Sequence, residues 1–262
     1  MNHNANCLNC NTPVADIYCS RCGQKTDTHR ITFKHFVMHD ILHGVWHFEK
    51  GILFSLREGI TRPGKAGMDY ISGKRIRYYN VFYLILLIIG LNLFITSYYE
   101  KLSHIYLGTN EAVMTGVVKS VGEFLEHYSK LLIFSFVPLF ALNSFLIFRR
   151  KKLNLSEHFI IAGMVFLGVM IIVTVTNFFF FLDFIEHMDF LSSFVNAFTP
   201  ISIILFILVS YYKTFRDTYS RIRTLLKSLL FIFLLFLELI AILVLFLGYF
   251  TNWTYNIKGT YS

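Results

Sequence analysis

The residues whose type and spacing most clearly predict chemistry are four cysteines near the N-terminus. They form two Cys-x2-Cys pairs separated by eight residues: Cys7, Cys10, Cys19 and Cys22. Each pair can place two sulfurs on one side of a tetrahedron, and Zn²⁺ takes four thiolates at about 2.3 Å in such sites. Because sulfur would fill all four positions, no coordination site stays open for a substrate. The spacing therefore predicts a small zinc ribbon with a structural Zn²⁺.

Three other interpretations of the cysteine pairs compete with a zinc site. Disulfide bonds are disfavoured if this segment faces the reducing cytoplasm, which the charge distribution described below predicts. A redox-active Cys-x-x-Cys site of the thioredoxin type needs a surrounding fold that this stretch is too short to make. A rubredoxin-like iron site uses the same four thiolates and is the main alternative that remains.

A histidine stripe follows the cysteines. His35, His39, His43 and His47 recur every four residues, and Asp40 lies beside them. At about 100° per residue, neighbouring members of the stripe share one face of a helix. The stripe is either a second metal-binding or pH-sensing face, or the polar side of an amphipathic helix at the membrane interface. The second interpretation is the simpler one and is favoured.

Transmembrane helices are the elements that must position these groups. Of the 262 residues, 55% are hydrophobic and 15% are charged, whereas soluble domains contain about 25% charged residues. This composition excludes a soluble globular enzyme, a disordered chain and a disulfide-stapled secreted protein. Beyond residue 80, five apolar runs are each long enough to cross a hydrocarbon core about 30 Å thick as helices. The runs lie at 81–98, 131–148, 159–182, 190–212 and 225–250.

The sequence therefore predicts an all-α polytopic membrane helix bundle with about five transmembrane helices. Three regions are expected. A zinc ribbon occupies residues 1–28, and cytoplasmic or interfacial amphipathic helices with a juxtamembrane basic segment occupy residues 29–80. The transmembrane bundle occupies residues 81–262.

The distribution of positive charge predicts the orientation of this bundle. Lys and Arg total 20 before the first run, between the second and third, and from the end of the fourth to Lys227 at the start of the fifth, against 4 in the alternate segments. This asymmetry is a strong positive-inside signal. It predicts a multi-pass membrane protein with a cytoplasmic N-terminus and an outside C-terminus. Nucleic acid is not an expected partner, because the basic residues flank the spans instead of forming one patch.

Five of these basic residues form a cluster shortly before the first run: Arg62, Lys65, Lys74, Arg75 and Arg77. Juxtamembrane clusters attract anionic lipid headgroups at about 1 kcal/mol per charge. The cluster is therefore a candidate contact for anionic lipid, and the bilayer is the first expected partner. The alternative is that these charges fix the topology without recognising a particular lipid.

One ionisable residue, Glu238, lies near the middle of the fifth apolar run. An ionisable side chain is costly there, so it predicts either a hydrogen bond between helices or a position on a transport path. Polar residues in the other runs are the candidate partners: Asn92, Asn143, Thr176, Asn177 and Asn196.

Several motifs between residues 7 and 80 occur in a fixed order. They are the two Cys-x2-Cys pairs, Cys22-Gly23-Gln24-Lys25, Arg30-Ile31-Thr32, His39-Asp40, Arg62-Pro63-Gly64 and Tyr70-x2-Gly73-Lys74-Arg75. In this set the chain resembles a family of bacterial inner-membrane proteins of unknown function that carry an N-terminal zinc ribbon. The resemblance implies a bacterial origin and a membrane location, and it implies no reaction.

The sequence contains no recognisable nucleophile–base motif, Walker loop or dinucleotide-binding glycine motif. The favoured function is therefore a non-enzymatic docking or regulatory membrane module, whose ribbon presents a surface to a cytoplasmic protein partner. A transporter or channel with Glu238 on its path is the first alternative. The second alternative is a membrane enzyme acting on a lipid substrate, in which the histidines and Asp40 would hold a metal near the headgroups.

Overall fold

The computed structural model describes residues 6–26, 51–106 and 117–250. Within these ranges, a small ribbon precedes a bundle of α-helices, so the predicted all-α membrane-type fold is confirmed. We number the described helices α1 (Ile52–Thr61), α2 (Pro63–Ile71), α3 (Val81–Tyr106), α4 (Val117–Ile147), α5 (Leu155–Phe179), α6 (Asp189–Phe215) and α7 (Arg221–Phe250).

Five long helices correspond to the five apolar runs of the sequence. Four of them are long and apolar enough to cross a membrane, and their candidate spans are Val81–Tyr106, Leu155–Phe184, Asp189–Phe215 and Arg221–Phe246. The remaining one, α4, has 31 residues, and its second half, Leu132–Ile147, is apolar. Helix α4 packs against α5 and α7.

Helix α5 lies at the centre of the bundle. In its most apolar stretch 67% of the residues are buried, against 11% in α6 and in α7. Small residues let its neighbours come close. A Cβ atom on Gly163 would lie 3.2 Å from Val81, and one on Gly168 would overlap the Phe206 ring and the Gly59 carbonyl. Helices α1, α2, α3, α4 and α6 therefore all pack on α5.

The outer faces of α6 and α7 are apolar and exposed. Phe194, Phe198, Phe233 and Phe236 each leave about half or more of their surface uncovered. Soluble monomers rarely expose contiguous apolar patches of this kind. These faces are what a lipid-facing helix presents, and they agree with the apolar composition of the chain.

A local hydrogen-bond motif fixes the start of α5. The side chain of Asn154 accepts a hydrogen bond of 2.9 Å from the Glu157 backbone N–H, and the Glu157 carboxylate accepts one of 2.7 Å from the Asn154 N–H. This reciprocal capping box satisfies backbone donors that have no partner at the first turn of a helix. It therefore holds the short connection from α4 to α5.

Helices α1 and α2, separated only by Arg62, contact each other and lie at one end of the bundle. Gly67 on α2 packs against Ile161 of α5, where a Cβ atom would lie 3.0 Å from the Ile161 Cα. A Cβ atom on Gly64 would overlap the side chain of Thr214 on α6. The two helices therefore pack closely against α5 and α6. The ribbon lies at the same end, which we call the ribbon end of the bundle.

Candidate metal centre

The four predicted cysteine ligands converge on one point. Their Sγ atoms all lie within 4.8 Å of one another. The Cys7 and Cys22 sulfurs are 3.6 Å apart and the Cys10 and Cys19 sulfurs are 3.5 Å apart. Four sulfurs at about 2.3 Å from a central metal lie about 3.8 Å from one another in a tetrahedron, whereas a disulfide bond is about 2.0 Å long. All four cysteines are free, so the geometry can hold one metal ion.

The two halves of this centre are copies of one turn, twelve residues apart. In the first half the Cys7 N–H donates to the Thr12 carbonyl and the Cys7 carbonyl accepts from the Asn11 N–H, both at 2.8 Å. The second half repeats both bonds, also at 2.8 Å, among Cys19, Gln24 and Gly23. Each turn thereby points two sulfurs to the same side.

Both turns need one residue with left-handed backbone. Asn11 has a φ of 59° and Gly23 has a φ of 76°. Glycine adopts this conformation at no steric cost, and asparagine tolerates it better than most residues. The two turns are closed by single bridges, Asn6–Pro13 and Tyr18–Lys25. In the sequence, the twelve-residue repeat is visible as Cys-x2-Cys followed by Asn or Gly.

Hydrogen bonding and burial shift the cysteine pKa values in opposite directions. Hydrogen bonds from the side chain and the backbone of Thr12 lower the pKa of Cys10 to about 6. Burial alone would raise the pKa of Cys22, but hydrogen bonds from the Asn9 side chain and the Gln24 backbone outweigh it and lower that pKa. Burial raises the pKa of Cys7 to about 11. A bound cation would supply the positive charge that keeps the buried Cys7 sulfur ionised.

The ribbon is docked on the loop between α2 and α3. The Gln24 side chain, which is 3% exposed, donates a hydrogen bond of 2.6 Å from Nε2 to the Gly73 carbonyl and accepts one of 3.5 Å from the Ile76 N–H. The Arg77 guanidinium donates to the Asn9 carbonyl at 3.3 Å. We call residues 72–77 the ribbon seat.

Gly73 is required in the seat for two reasons. Its φ is +101°, a conformation that side-chain-bearing residues rarely adopt. In addition, a Cβ atom there would lie 2.6 Å from the Leu8 Cδ1 atom of the ribbon. The glycine of the Tyr70-x2-Gly73-Lys74-Arg75 motif is therefore one of the points at which the ribbon contacts the bundle.

The structure divides the five basic residues that the sequence grouped as one lipid-contacting cluster. Three belong to the seat: Lys74 pairs with Asp69 at 3.0 Å, Arg75 lies over the Tyr70 ring at 5.6 Å, and Arg77 contacts the ribbon. The other two, Arg62 and Lys65, lie at the turn from α1 to α2 and line a cavity beside α6.

Arg62 fixes this turn through an ion pair with a buried carboxylate. Its Nε atom is 2.7 Å from Glu58 Oε2 and its second terminal nitrogen donates to Glu58 Oε1 at 2.8 Å. The Glu58 side chain is only 3% exposed, whereas that of Arg62 is 49% exposed. Together with Pro63 at the first position of α2, this pair explains the Arg-Pro-Gly motif as a tight turn.

Glu238 is held by one of its expected partners. The Asn143 side chain, which is buried, donates from Nδ2 to Glu238 Oε2 at 2.8 Å. Neither residue lines the basic cavity at the ribbon end or the polar cavity beside Tyr99 and Asp183 at the opposite end. The contact is a hydrogen bond between α4 and α7, which is the structural alternative posed by the sequence.

The other intramembrane polar residues also bridge helices. Asn92 donates to Thr174 and accepts from Asn177, both at 2.8 Å, which links α3 to α5. The hydroxyl groups of Thr176 and Thr199 lie 2.8 Å apart and link α5 to α6. Such contacts stabilise helix packing where lipid offers no hydrogen bonds.

One buried polar pair was missed by sequence reasoning. The Ser144 hydroxyl lies 2.7 Å from His158 Nδ1, and both side chains are almost fully buried between α4 and α5. His158 also stacks on the Phe215 ring at 6.1 Å. No local motif marks the pair, because the two residues come from different helices. The histidine stripe that the sequence did single out, His35 to His47 with Asp40, lies outside the described residues.

The chain matches no protein-family model, no curated protein and no solved structure at a significant level. The class of protein is therefore defined by the fold and the site alone: an all-helical, membrane-type bundle with a four-cysteine centre docked at one end.

Proposed function

We propose that this chain is a non-enzymatic membrane module whose ribbon, folded around one structural Zn²⁺, forms a docking platform at the membrane surface. The observation that carries the proposal is the attachment of the ribbon to the bundle. Gln24 and Leu8 contact Gly73, so the metal centre is held against the loop that leads into α3. A flexibly tethered zinc ribbon would need no such buried contact.

Zinc is the metal we propose because the four ligands form a closed thiolate set. Such a set favours Zn²⁺ in tetrahedral geometry and leaves no position for a substrate. The segment has almost no apolar core of its own, so metal binding would supply its folding energy, which is about 10–16 kcal/mol in zinc-finger peptides. A structural role follows from both points.

We propose that the ribbon end faces the cytoplasm of a bacterial inner membrane. Supporting this, the basic segments come together at that end: the backbone N–H of Arg150 donates to the Tyr219 hydroxyl, and Lys227 donates to the Ile147 carbonyl. Clustered Lys and Arg mark cytoplasmic loops. The resemblance to the zinc-ribbon membrane family is part of this proposal, and the contact between its Gln24 and Gly73 motifs supports it.

A protein partner would meet the exposed apolar side chains of the ribbon. Ile17 and Tyr18 are each 59% exposed, and exposed aromatic residues are common anchors of protein interfaces. Photo-crosslinking in cells tests this directly. A crosslinker placed at Tyr18 of the full-length chain should capture a discrete protein, whereas one placed at Ser20 should not. Capture of lipid alone from Tyr18 would contradict a protein-docking role.

Fewer observations support the two alternative functions. Asn143 engages Glu238, which lines neither the basic cavity nor the polar cavity beside Tyr99, so no contact among the described residues favours a transport path past Glu238. The enzyme alternative depends on the histidine stripe and stays a prediction from the sequence.

A further inference from the structure

A large cavity opens at the ribbon end between α2 and α6. Its volume is about 910 Å³, which lies at the upper end of the range for small-molecule sites in proteins. One part of its wall is basic and also includes Asp217, and the rest combines apolar side chains with four hydroxyl side chains. The basic residues are Arg62, Lys65, Lys151, Lys213 and Arg216.

The positive charge of this cavity is only partly neutralised. Arg62 is paired with Glu58, and Arg216 lies 3.6 Å from Asp217. Within the described residues, Lys65, Lys151 and Lys213 have no carboxylate partner. These three ammonium groups come from three separate elements, α2, the α4–α5 connection and α6. Their convergence on one cavity leaves an excess of positive charge for an anion to neutralise.

The apolar wall of the cavity continues onto the outside of the bundle. Ile172, Leu205 and Val209 line the cavity, and Leu205 and Val209 are 53% and 44% exposed on the outer face of α6. This is the face that the fold leaves to lipid. The cavity is therefore basic at the ribbon end. It also opens laterally toward the lipid-facing side of α6.

We propose that this cavity binds an anionic phospholipid. The phosphate would lie among Lys65, Lys151 and Lys213, and an acyl chain would follow α6 past Val209 and Leu205. Phosphate groups and lysine ammonium groups form charge-assisted hydrogen bonds, while the apolar wall takes a chain that a free phosphate does not have. The site goes beyond the docking function proposed above and does not depend on the ribbon metal.

The test measures lipid binding to the purified full-length protein in non-ionic detergent. Native mass spectrometry and melting temperature follow the titration of dioleoylphosphatidylglycerol, with dioleoylphosphatidylcholine and inorganic phosphate as separate arms. The double variant Lys65→Gln/Lys213→Gln should bind phosphatidylglycerol roughly tenfold to thirtyfold more weakly, because juxtamembrane charges act additively on anionic lipid. Arg149→Gln/Arg223→Gln removes two exposed charges at the same end outside the cavity and should bind like wild type.

Two further variants distinguish the effects of charge and shape on lipid binding from effects on folding. Lys65→Arg/Lys213→Arg keeps both charges and should retain most of the affinity. Ser202→Trp places a large ring on the apolar wall and should weaken phosphatidylglycerol binding without affecting the zinc content. The proposal is overturned if the glutamine variant binds phosphatidylglycerol like wild type, if phosphatidylcholine binds equally well, or if inorganic phosphate alone reproduces the stabilisation.

Discussion

The side-chain amide of Gln24 donates a 2.6 Å hydrogen bond to the carbonyl oxygen of Gly73, 49 residues further along the chain. Both residues are buried, and each belongs to a motif that stands out in the sequence. This bond joins the four-cysteine ribbon to the loop that leads into the first long helix. The four-cysteine ribbon and the entry to the bundle therefore form one structural unit.

Replacing Gln24 by Ala should weaken the attachment of the ribbon to the bundle. The change removes the donor and leaves the buried Gly73 carbonyl without its partner, at a cost of about 1–3 kcal/mol. Hydrogen–deuterium exchange should become faster in residues 7–26 and 72–77 of the full-length protein. The control variant Ser20→Ala, at an exposed position of the ribbon, should exchange like wild type. Unchanged exchange in the Gln24→Ala variant would show that the bond does not hold the ribbon.

Replacing Gly73 by Ala should separate the ribbon from its seat more strongly. An alanine at a φ of +101° is strained, and its Cβ atom would also collide with Leu8. We expect the ribbon cysteines to react faster with a thiol reagent in this variant. Adding Leu8→Ala should restore part of the protection, because it removes the collision but not the backbone strain. Full protection in the Gly73→Ala single variant would contradict the described contact.

The local part of this site was predictable from the sequence, and the rest was not. The four-cysteine cluster follows from spacing alone, because Cys7 to Cys22 lie within one short segment. The seat depends on Gln24 meeting Gly73, and no periodicity reports a contact across 49 residues. Likewise, the basic cluster divides because Arg62 and Lys65 lie on a helix pair packed against α5 and α6, while Lys74, Arg75 and Arg77 lie in the ribbon seat.

The Asn143–Glu238 bond predicts an asymmetric response to substitution. Glu238→Gln keeps an acceptor oxygen for Asn143, so the free energy of unfolding in detergent should stay close to that of wild type. Asn143→Leu removes the donor and should cost about 0.6 kcal/mol and at most about 1.7 kcal/mol, the average and the maximum measured for hydrogen bonds between membrane helices. A double-mutant cycle with Glu238→Leu should give a coupling energy of that size. Zero coupling would mean that the contact has no energetic role.

Orientation in the membrane can be read from reporter fusions. Green fluorescent protein fused after Lys152 or after Arg223 should fluoresce, since both sites are proposed to face the cytoplasm. Alkaline phosphatase fused after Asp183 or at the C-terminus should be active, because these sites are proposed to face outside. A fluorescent fusion at the C-terminus would mean an even number of spans and would contradict the five-span topology.

Glu238 shows that an apolar run in the sequence can locate a polar residue within a helix but cannot identify its hydrogen-bond partner. The sequence placed the carboxylate at the middle of a span and named Asn143 as one of five candidate partners. Choosing among them required the packing of α4 against α7, which depends on side-chain shapes along both helices. The same is true of Ser144 and His158, whose contact joins two helices that are adjacent in sequence but carry no shared motif.

The central claim, that the four cysteines hold one structural zinc, is tested most directly by counting metal in the purified full-length protein. Inductively coupled plasma mass spectrometry should find one zinc per chain, and the double variant Cys7→Ser/Cys19→Ser, which breaks both turns, should lose it. The variant His39→Ala/His43→Ala should keep that single zinc. Iron in place of zinc, no metal in folded protein, or zinc retained by the cysteine variant would contradict the account. A count of two that falls to one in the histidine variant would instead place a second metal on the histidine stripe.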